Sequence, residues 1–147
     1  MTSDRILRAA TVSTVVLAVC AAAAAAFPDA LRIPYAVVSL GYFVAGCVAF
    51  VWGYAVAIGR SRTEELSVAG IFFLAGGAAP KDVRNRLVVA LVAQTVVAVA
   101  AASVRPFTAV AFGVLAPMSA LGLMGLWGGR HGTFPEREDA RGRRPAA

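Results

Sequence analysis

The stretch LVVALVAQTVVAVAAASVRPFTAVAFGVLAPMSALGLMGLW, residues 87–127, decides the fold of this chain. It consists of two apolar runs, 87–104 and 107–127, which contain no charged residue and are separated only by Arg105 and Pro106. Each run has the length that a helix needs to cross the roughly 30 Å hydrocarbon core of a bilayer, about 17 to 25 residues. Because the turn between them is so short, we expect an antiparallel hairpin of two membrane-spanning helices.

Two earlier runs, 9–27 and 35–58, are also free of charge and long enough to span. The whole chain is 59% hydrophobic and 15% charged, with a mean hydropathy of +0.74. Soluble domains lie nearer half apolar and a quarter charged, so this balance favours a lipid environment. The sequence therefore predicts an all-α integral membrane protein, a four-helix bundle that forms one domain over residues 1–129.

A fifth apolar run, 66–79, covers only roughly 21 Å at about 1.5 Å per residue, which is too short to span. The charges agree. With four spans, twelve of the 14 Lys and Arg residues lie on the side of the N-terminus, and only Arg32 and Arg105 lie opposite. With 66–79 as a fifth span, five would lie on the side of the N-terminus and nine opposite.

Lys and Arg accumulate on the cytoplasmic side of membrane proteins. We therefore predict that both termini are cytoplasmic and that 66–79 forms a short interfacial or re-entrant helix between the second and third spans. A helix buried against the bundle is an equal alternative for this segment.

Local signals set the predicted boundaries. Pro28 and Pro34 are expected to bracket a short loop between the first two helices. Ser61 and Glu64 have the spacing of a capping box, which predicts a helix start before the fifth run. Residues 130–147 are polar and rich in glycine and proline, so we expect a disordered cytoplasmic tail.

The N-terminus permits two interpretations. Arg5 and Arg8, the apolar run and Ala24–Ala26 imitate a signal peptide with its cleavage site. The apolar run is longer than the usual 7 to 15 residues of such peptides, which favours a retained first helix. Cleavage would leave three spans in the same orientation.

The second predicted helix carries a small residue at every fourth position: Gly41, Ala45, Ala49, Gly53 and Ala57. Residues four apart share one helical face, so this stripe would let another helix approach closely. Its partner would be the first helix, where alanines have the same spacing, or a second protein. The alternative is that such a run arises by chance in a chain so rich in alanine and glycine.

Gln94 is the one strongly polar side chain of the third helix, and Pro117 lies in the fourth. Both residues are about 17 Å from the turn, near the middle of the bilayer. Pro117 lacks an N–H, so it should free the carbonyl of Gly113 and kink the helix. We hypothesise that Gln94 bonds this carbonyl. The alternatives are a glutamine that faces an oligomer partner or a water-filled gap.

The sequence lacks the residues that several kinds of function require. No Asp, Glu, Lys, Arg or His lies inside a predicted span, whereas proton-coupled carriers need an ionisable group there. His131 is the single histidine, and no Cys or His cluster, phosphate-binding loop or nucleophile elbow occurs. Cys20 and Cys47 lie singly in apolar runs. We predict no catalytic, metal or cofactor-binding residue, and we assign the net charge of +6 to loops at the lipid surface, not to nucleic acid.

Five strings between residues 59 and 135 carry a family resemblance: GRSR (59–62), FFLAG (72–76), RPFTA (105–109), AFGVLAPM (111–118) and GLWGGRHGTFP (125–135). In these strings the chain resembles a family of small uncharacterised four-helix membrane proteins of actinobacterial type. The resemblance implies a bacterial four-helix membrane protein. That family has no established activity, so the resemblance implies no mechanism.

The leading functional hypothesis is a non-enzymatic accessory or assembly factor of the bacterial inner (cytoplasmic) membrane, which packs against another membrane protein. The alternative is a homo-oligomeric transporter or channel for a neutral or apolar solute, with Gln94 and the kinked fourth helix along its path. An enzyme acting on lipid through Glu64, Glu65, Asp82 and Arg84 ranks last, because these residues are better explained as a helix start and a solvated face.

Overall fold

The computed structural model of the protein describes residues 2–137. Its elements, in chain order, are α1 (Ser3–Ala26), α2 (Pro28–Arg60), α3 (Val68–Phe72), α4 (Lys81–Val104), a 3₁₀ helix (Ala109–Leu115) and α5 (Met118–His131). The described part of the chain is all-helical, which confirms the predicted fold class. The one β-type contact in that part is an isolated bridge between Glu64 and Glu136.

Four helices are long and apolar enough to cross a membrane: Ser3–Ala26, Pro28–Arg60, Lys81–Val104 and Ala109–His131. The number of such helices is the predicted one, but three of the four extend well beyond the predicted runs. The extra turns carry the charged residues, as at the start of α1 and of α4. An uncharged run marks the part of a helix that suits hydrocarbon, whereas the helix itself continues into the headgroup region.

The predicted loop between the first two spans is wrong. Only Phe27 separates α1 from α2, and α2 includes both Pro28 and Pro34. Pro28 occupies the first position of α2, where the N–H that proline lacks would have no partner within the helix. Pro34 lies six residues further on, inside the helix. The first proline therefore begins α2, and the second does not end it.

One end of the bundle carries most of the positive charge. There the indole N–H of Trp127 donates to Ser3 Oγ (2.8 Å), which joins the end of α5 to the start of α1. Arg60, the last residue of α2, donates to the carbonyls of Gly129 (3.0 Å) and Gly132 (2.8 Å). We call this the basic end. Arg32 and Arg105 lie at the opposite end of their helices, and the side of the membrane that each end faces stays a prediction.

The capping box predicted at Ser61 and Glu64 is also wrong. Ser61 follows the last residue of α2, and its N–H donates to the carbonyl of Ala57 (2.9 Å). The Glu64 carboxylate instead pairs with Arg60 at 2.7 Å. Ser67 caps the following helix, because its hydroxyl accepts a hydrogen bond from the N–H of Gly70 (2.9 Å).

The 66–79 segment contains only the five-residue helix α3. Ile71 and Phe72 are buried, and the Phe72 ring stacks on Phe50 of α2 with 4.1 Å between ring centroids. Gly76 and Gly77 then adopt positive φ values of 68° and 84°, a conformation that glycine takes without steric cost. Ile71 and Phe72 of α3 thus pack on the bundle, while the depth of the segment in a bilayer stays a prediction.

The start of the predicted disordered tail is ordered. The N–H of Thr133 donates to Ala78 (3.0 Å), and the carbonyl of Pro135 accepts from Glu65 (2.9 Å). Phe134 packs against the cluster around Ile71. The prediction of disorder is therefore wrong for 130–137, because backbone groups of these residues form hydrogen bonds with backbone groups of the 61–79 segment. The rest of the predicted tail lies outside the described residues.

Glycines bring α2 and α5 into backbone contact. A Cβ atom added to Gly46 would overlap the backbone of Met118, and one added to Gly122 would overlap the backbone of Gly46. Two turns toward the basic end, Gly53 meets Gly125 and Gly129 in the same way. Membrane helices associate by such close packing, since lipid supplies no hydrophobic force between them.

Gly122→Ala should lower the free energy of unfolding by about 1–3 kcal/mol, because the added methyl group must displace the backbone of α2. The measurement is an SDS titration in mild detergent followed by far-UV circular dichroism. Gly41→Ala is the matched control, since its new Cβ would meet nothing within 4 Å and stability should hold or rise slightly. Equal stability of the two variants would contradict the packing of α2 on α5.

Candidate functional site

Gln94 lies at the centre of a polar cluster between helices. Its side chain is fully buried, with 0% exposure. The amide Nε2 donates to Ser13 Oγ at 3.1 Å and to Thr14 Oγ1 at 3.2 Å, both on α1. The amide Oε1 accepts from Ser119 Oγ at 3.0 Å, on α5. One residue of α4 thus ties two other spans together, and both ends of its amide are satisfied.

The hydroxyl groups around Gln94 are themselves partnered. Ser13 and Thr14 donate to the carbonyl of Ala10 at 2.9 Å and 2.8 Å. The Tyr42 hydroxyl of α2 donates to the carbonyl of Ser13 at 3.1 Å. All four spans therefore contribute to one hydrogen-bonded network, in a region where hydrocarbon would offer no substitute partner.

The hypothesis that Gln94 bonds the carbonyl of Gly113 is wrong. This carbonyl accepts the N–H of Ala116 at 3.0 Å, because residues 109–115 form a 3₁₀ helix with bonds three residues apart. Pro117 does not kink a continuous α-helix but directly precedes α5. The carbonyl that proline frees is thus satisfied locally. Gly113 has another role, since a Cβ there would overlap the side chain of Tyr35.

Beside the polar cluster, α1, α2 and α5 enclose a groove of about 510 Å³ that opens to the outside of the bundle. We call it the lateral groove. Its surface is almost entirely apolar, and its polar members are Ser13, Tyr42 and Ser119. The first and last of these are the residues that hold Gln94. The groove therefore reaches the network but leaves the Gln94 amide buried behind it.

The predicted small-residue stripe divides between two surroundings. Gly41, Ala45 and Ala49 line the lateral groove. Gly53 is buried against the backbone of α5, and Ala57 is buried with Ile71 and Phe72 of the α3 region. The helix that packs on the buried half is α5, whereas the sequence favoured the first helix or a second protein.

Sequence reasoning missed two sets of residues. Gly46 lies beside the stripe and pairs with Gly122, while Gly53 pairs with Gly129. Each helix thus carries glycines seven residues apart, and this shared spacing is a signal that would have matched α2 to α5. The partners of Gln94 were also missed. Ser13 and Thr14 lie about as deep in the first span as Gln94 does in the third, which is the available signal for that pairing.

No group of three or more His, Cys, Asp or Glu side chains within residues 2–137 could hold a metal ion. Cys20 and Cys47 are free thiols that are partly buried in separate helices. His131 lies near Trp127, with 5.7 Å between ring centroids. The polar cluster and the lateral groove are therefore the candidate site.

Gln94→Leu should destabilise the protein, because it leaves the Ser119 hydroxyl without its acceptor and removes both bonds to α1. A double-mutant cycle with Ser119→Ala should give a coupling energy of about 0.6 kcal/mol, at most near 2 kcal/mol. The readout is the free energy of unfolding in detergent. Thr95→Val is the control on the same helix, since the Thr95 hydroxyl bonds only the carbonyl of Leu91. Additive effects of the two substitutions would reject the pair.

No protein-family model, curated protein or solved structure matches this chain. The family resemblance and the functional hypotheses therefore stay predictions, argued from the sequence and from the geometry of the candidate site.

Proposed function

We propose that this protein is a non-enzymatic accessory factor of the bacterial cytoplasmic membrane that holds a transmembrane helix of a partner protein in its lateral groove. The observation that carries the proposal is the exposed half of the small-residue stripe. Gly41 and Ala45 are exposed on the surface of α2, and a Cβ added to Gly41 would meet open space. The backbone of α2 is therefore accessible to another helix at this point.

The chemistry of the groove favours an apolar helix as its occupant. Small residues let helix backbones approach in lipid, and α2 already associates with α5 in this manner through Gly46 and Gly53. Gly46 and Ser119 belong both to that interface and to the groove. The groove thus continues the α2–α5 interface onto the next face of α2.

The dimensions of the groove agree with this occupant. From Gly41 to Ala49 the helix rises about 12 Å, which is two turns and matches the contact length of two crossing helices. Val38 and Leu123 add larger apolar side chains to the lining. We expect the partner helix to place small residues against Gly41 and Ala45.

The transporter alternative has weaker support. It needs Gln94 beside a solute path, yet the Gln94 amide is fully buried and bonded at both ends within the bundle. A solute that reached this amide would have to break bonds to α1 or α5. The same network serves a scaffold well, because it fixes the helices that form the groove.

An enzyme that uses the acids of the 61–86 segment is likewise less favoured. Glu64 pairs with Arg60, and the backbone N–H of Glu65 binds Pro135. Asp82 lies in the first turn of α4, where a carboxylate stabilises the positive end of the helix dipole. The contacts of the Glu64 and Asp82 carboxylates support a structural role for these two residues.

The test is photo-crosslinking in cells from a reactive amino acid placed at Leu123, which lines the groove. We expect one main product, in which the crosslink maps to a transmembrane helix of a different membrane protein. The double variant Gly41→Leu/Ala45→Leu should abolish this product while the protein still folds, because the new side chains fill the groove.

Ala55→Leu serves as the matched control, since Ala55 is exposed on α2 outside the groove. It should leave the product unchanged. Crosslinks only to lipid, or only to a second copy of this chain, would overturn the proposal.

A further inference from the structure

A second groove lies at the basic end, between the first turns of α1 and α4. It has a volume of about 390 Å³ and is lined by Asp4, Leu7, Arg8, Thr11, Val12 and Arg86. The two helices run side by side in the same direction, because a further pocket near their other ends joins Ala25 to Val104. The arginines of α1 and α4 therefore meet at one level of the bundle.

The two arginines of this groove are open to a ligand. Arg8 and Arg86 are exposed, and within residues 2–137 neither guanidinium has a hydrogen bond or an ion pair. Two guanidinium groups face one carboxylate, that of Asp4, so the groove is positive overall. Guanidinium groups bind phosphate oxygens through paired N–H donors, which makes a phosphate the best matched anion.

The remaining lining residues distinguish a lipid from a free anion. Val12 lies about one turn further from the basic end than Arg8 and is 61% exposed, and Leu7 adds a second apolar side chain beside Arg8. Val12 belongs to the uncharged run of α1, where acyl chains would lie. A charged mouth next to an exposed apolar side chain matches a molecule with a phosphate head and a hydrocarbon tail.

We propose that the groove between Arg8 and Arg86 binds the phosphate of an anionic phospholipid, with an acyl chain against Val12. The lateral groove is built from other residues, so this site does not depend on the proposed partner helix. Asp4 opposes the negative charge of the ligand and limits the affinity. Anionic lipids are attracted to basic residues near a membrane surface by about 1 kcal/mol per residue, which is about five-fold in affinity.

The experiment is native mass spectrometry of the full chain in mild detergent, titrated with phosphatidylglycerol or with phosphatidylcholine of the same acyl chains. We expect the natural sequence to retain phosphatidylglycerol preferentially. Arg8→Gln and Arg86→Gln should each reduce that retention about five-fold. Arg32→Gln/Arg105→Gln, at the opposite end of the bundle, is the control and should leave it unchanged.

Asp4→Asn tests the site independently of the arginine variants. It removes the opposing charge, so retention of phosphatidylglycerol should rise. Competition with inorganic phosphate separates a lipid site from a free-anion site, and millimolar phosphate should displace little lipid. Equal retention of both lipids, no response to either arginine substitution or to Asp4→Asn, or full displacement by phosphate would overturn the proposal.

Discussion

Hydrocarbon offers no hydrogen-bond partner, so a polar side chain within a membrane-spanning helix is costly to bury unless the protein supplies its partners. The Gln94 amide shows what this constraint does to the bundle. Its donors and its acceptor need at least three partners, and Ser13, Thr14 and Ser119 supply them from α1 and α5. The rotation of α4 is thereby fixed, because any other orientation would expose the amide to lipid at a cost of several kcal/mol. The position of the lateral groove follows, since two of these hydroxyl residues also line it.

In lipid the hydrophobic effect does not draw helices together, so they associate through close packing at small residues such as glycine. The α2–α5 interface uses Gly46, Gly53 and Gly122 to place backbone on backbone. The bundle leaves the similar surface around Gly41 open, although its small residues would suit the same kind of contact. One half of α2 thus packs within the fold, and the other half is the surface that we propose binds a partner helix. The arginines at the basic end form a separate surface, which we propose binds a lipid headgroup.

The sequence was sufficient to predict how many helices are long and apolar enough to span, because length and charge can be read from each run without any detail of packing. Local rules failed where the tertiary environment decided the outcome. The prolines after α1 begin a helix because the chain turns at Phe27, and Ser61 ends a helix because α2 continues to Arg60. Residues 133–137 bond backbone groups that lie 55 to 74 residues earlier in the chain, which no local pattern reveals. For Gln94 the sequence suggested a contact with Gly113, whereas its partners lie on α1 and α5 and depend on which helices are neighbours.

Four helices are expected to cross the bilayer. The two segments that connect α3 to α2 and to α4 are then expected to lie on the cytoplasmic side. The most direct test of this arrangement uses single cysteines in a background of Cys20→Ala and Cys47→Ala. Arg62→Cys and Asn85→Cys report on the two sides of the 66–79 segment, and Asp29→Cys reports on the opposite end of the bundle. A membrane-impermeant maleimide applied to intact cells, with access through the outer cell envelope verified, should label only Asp29→Cys, and the other two should react after permeabilisation. Labelling of either Arg62→Cys or Asn85→Cys from outside would contradict the account.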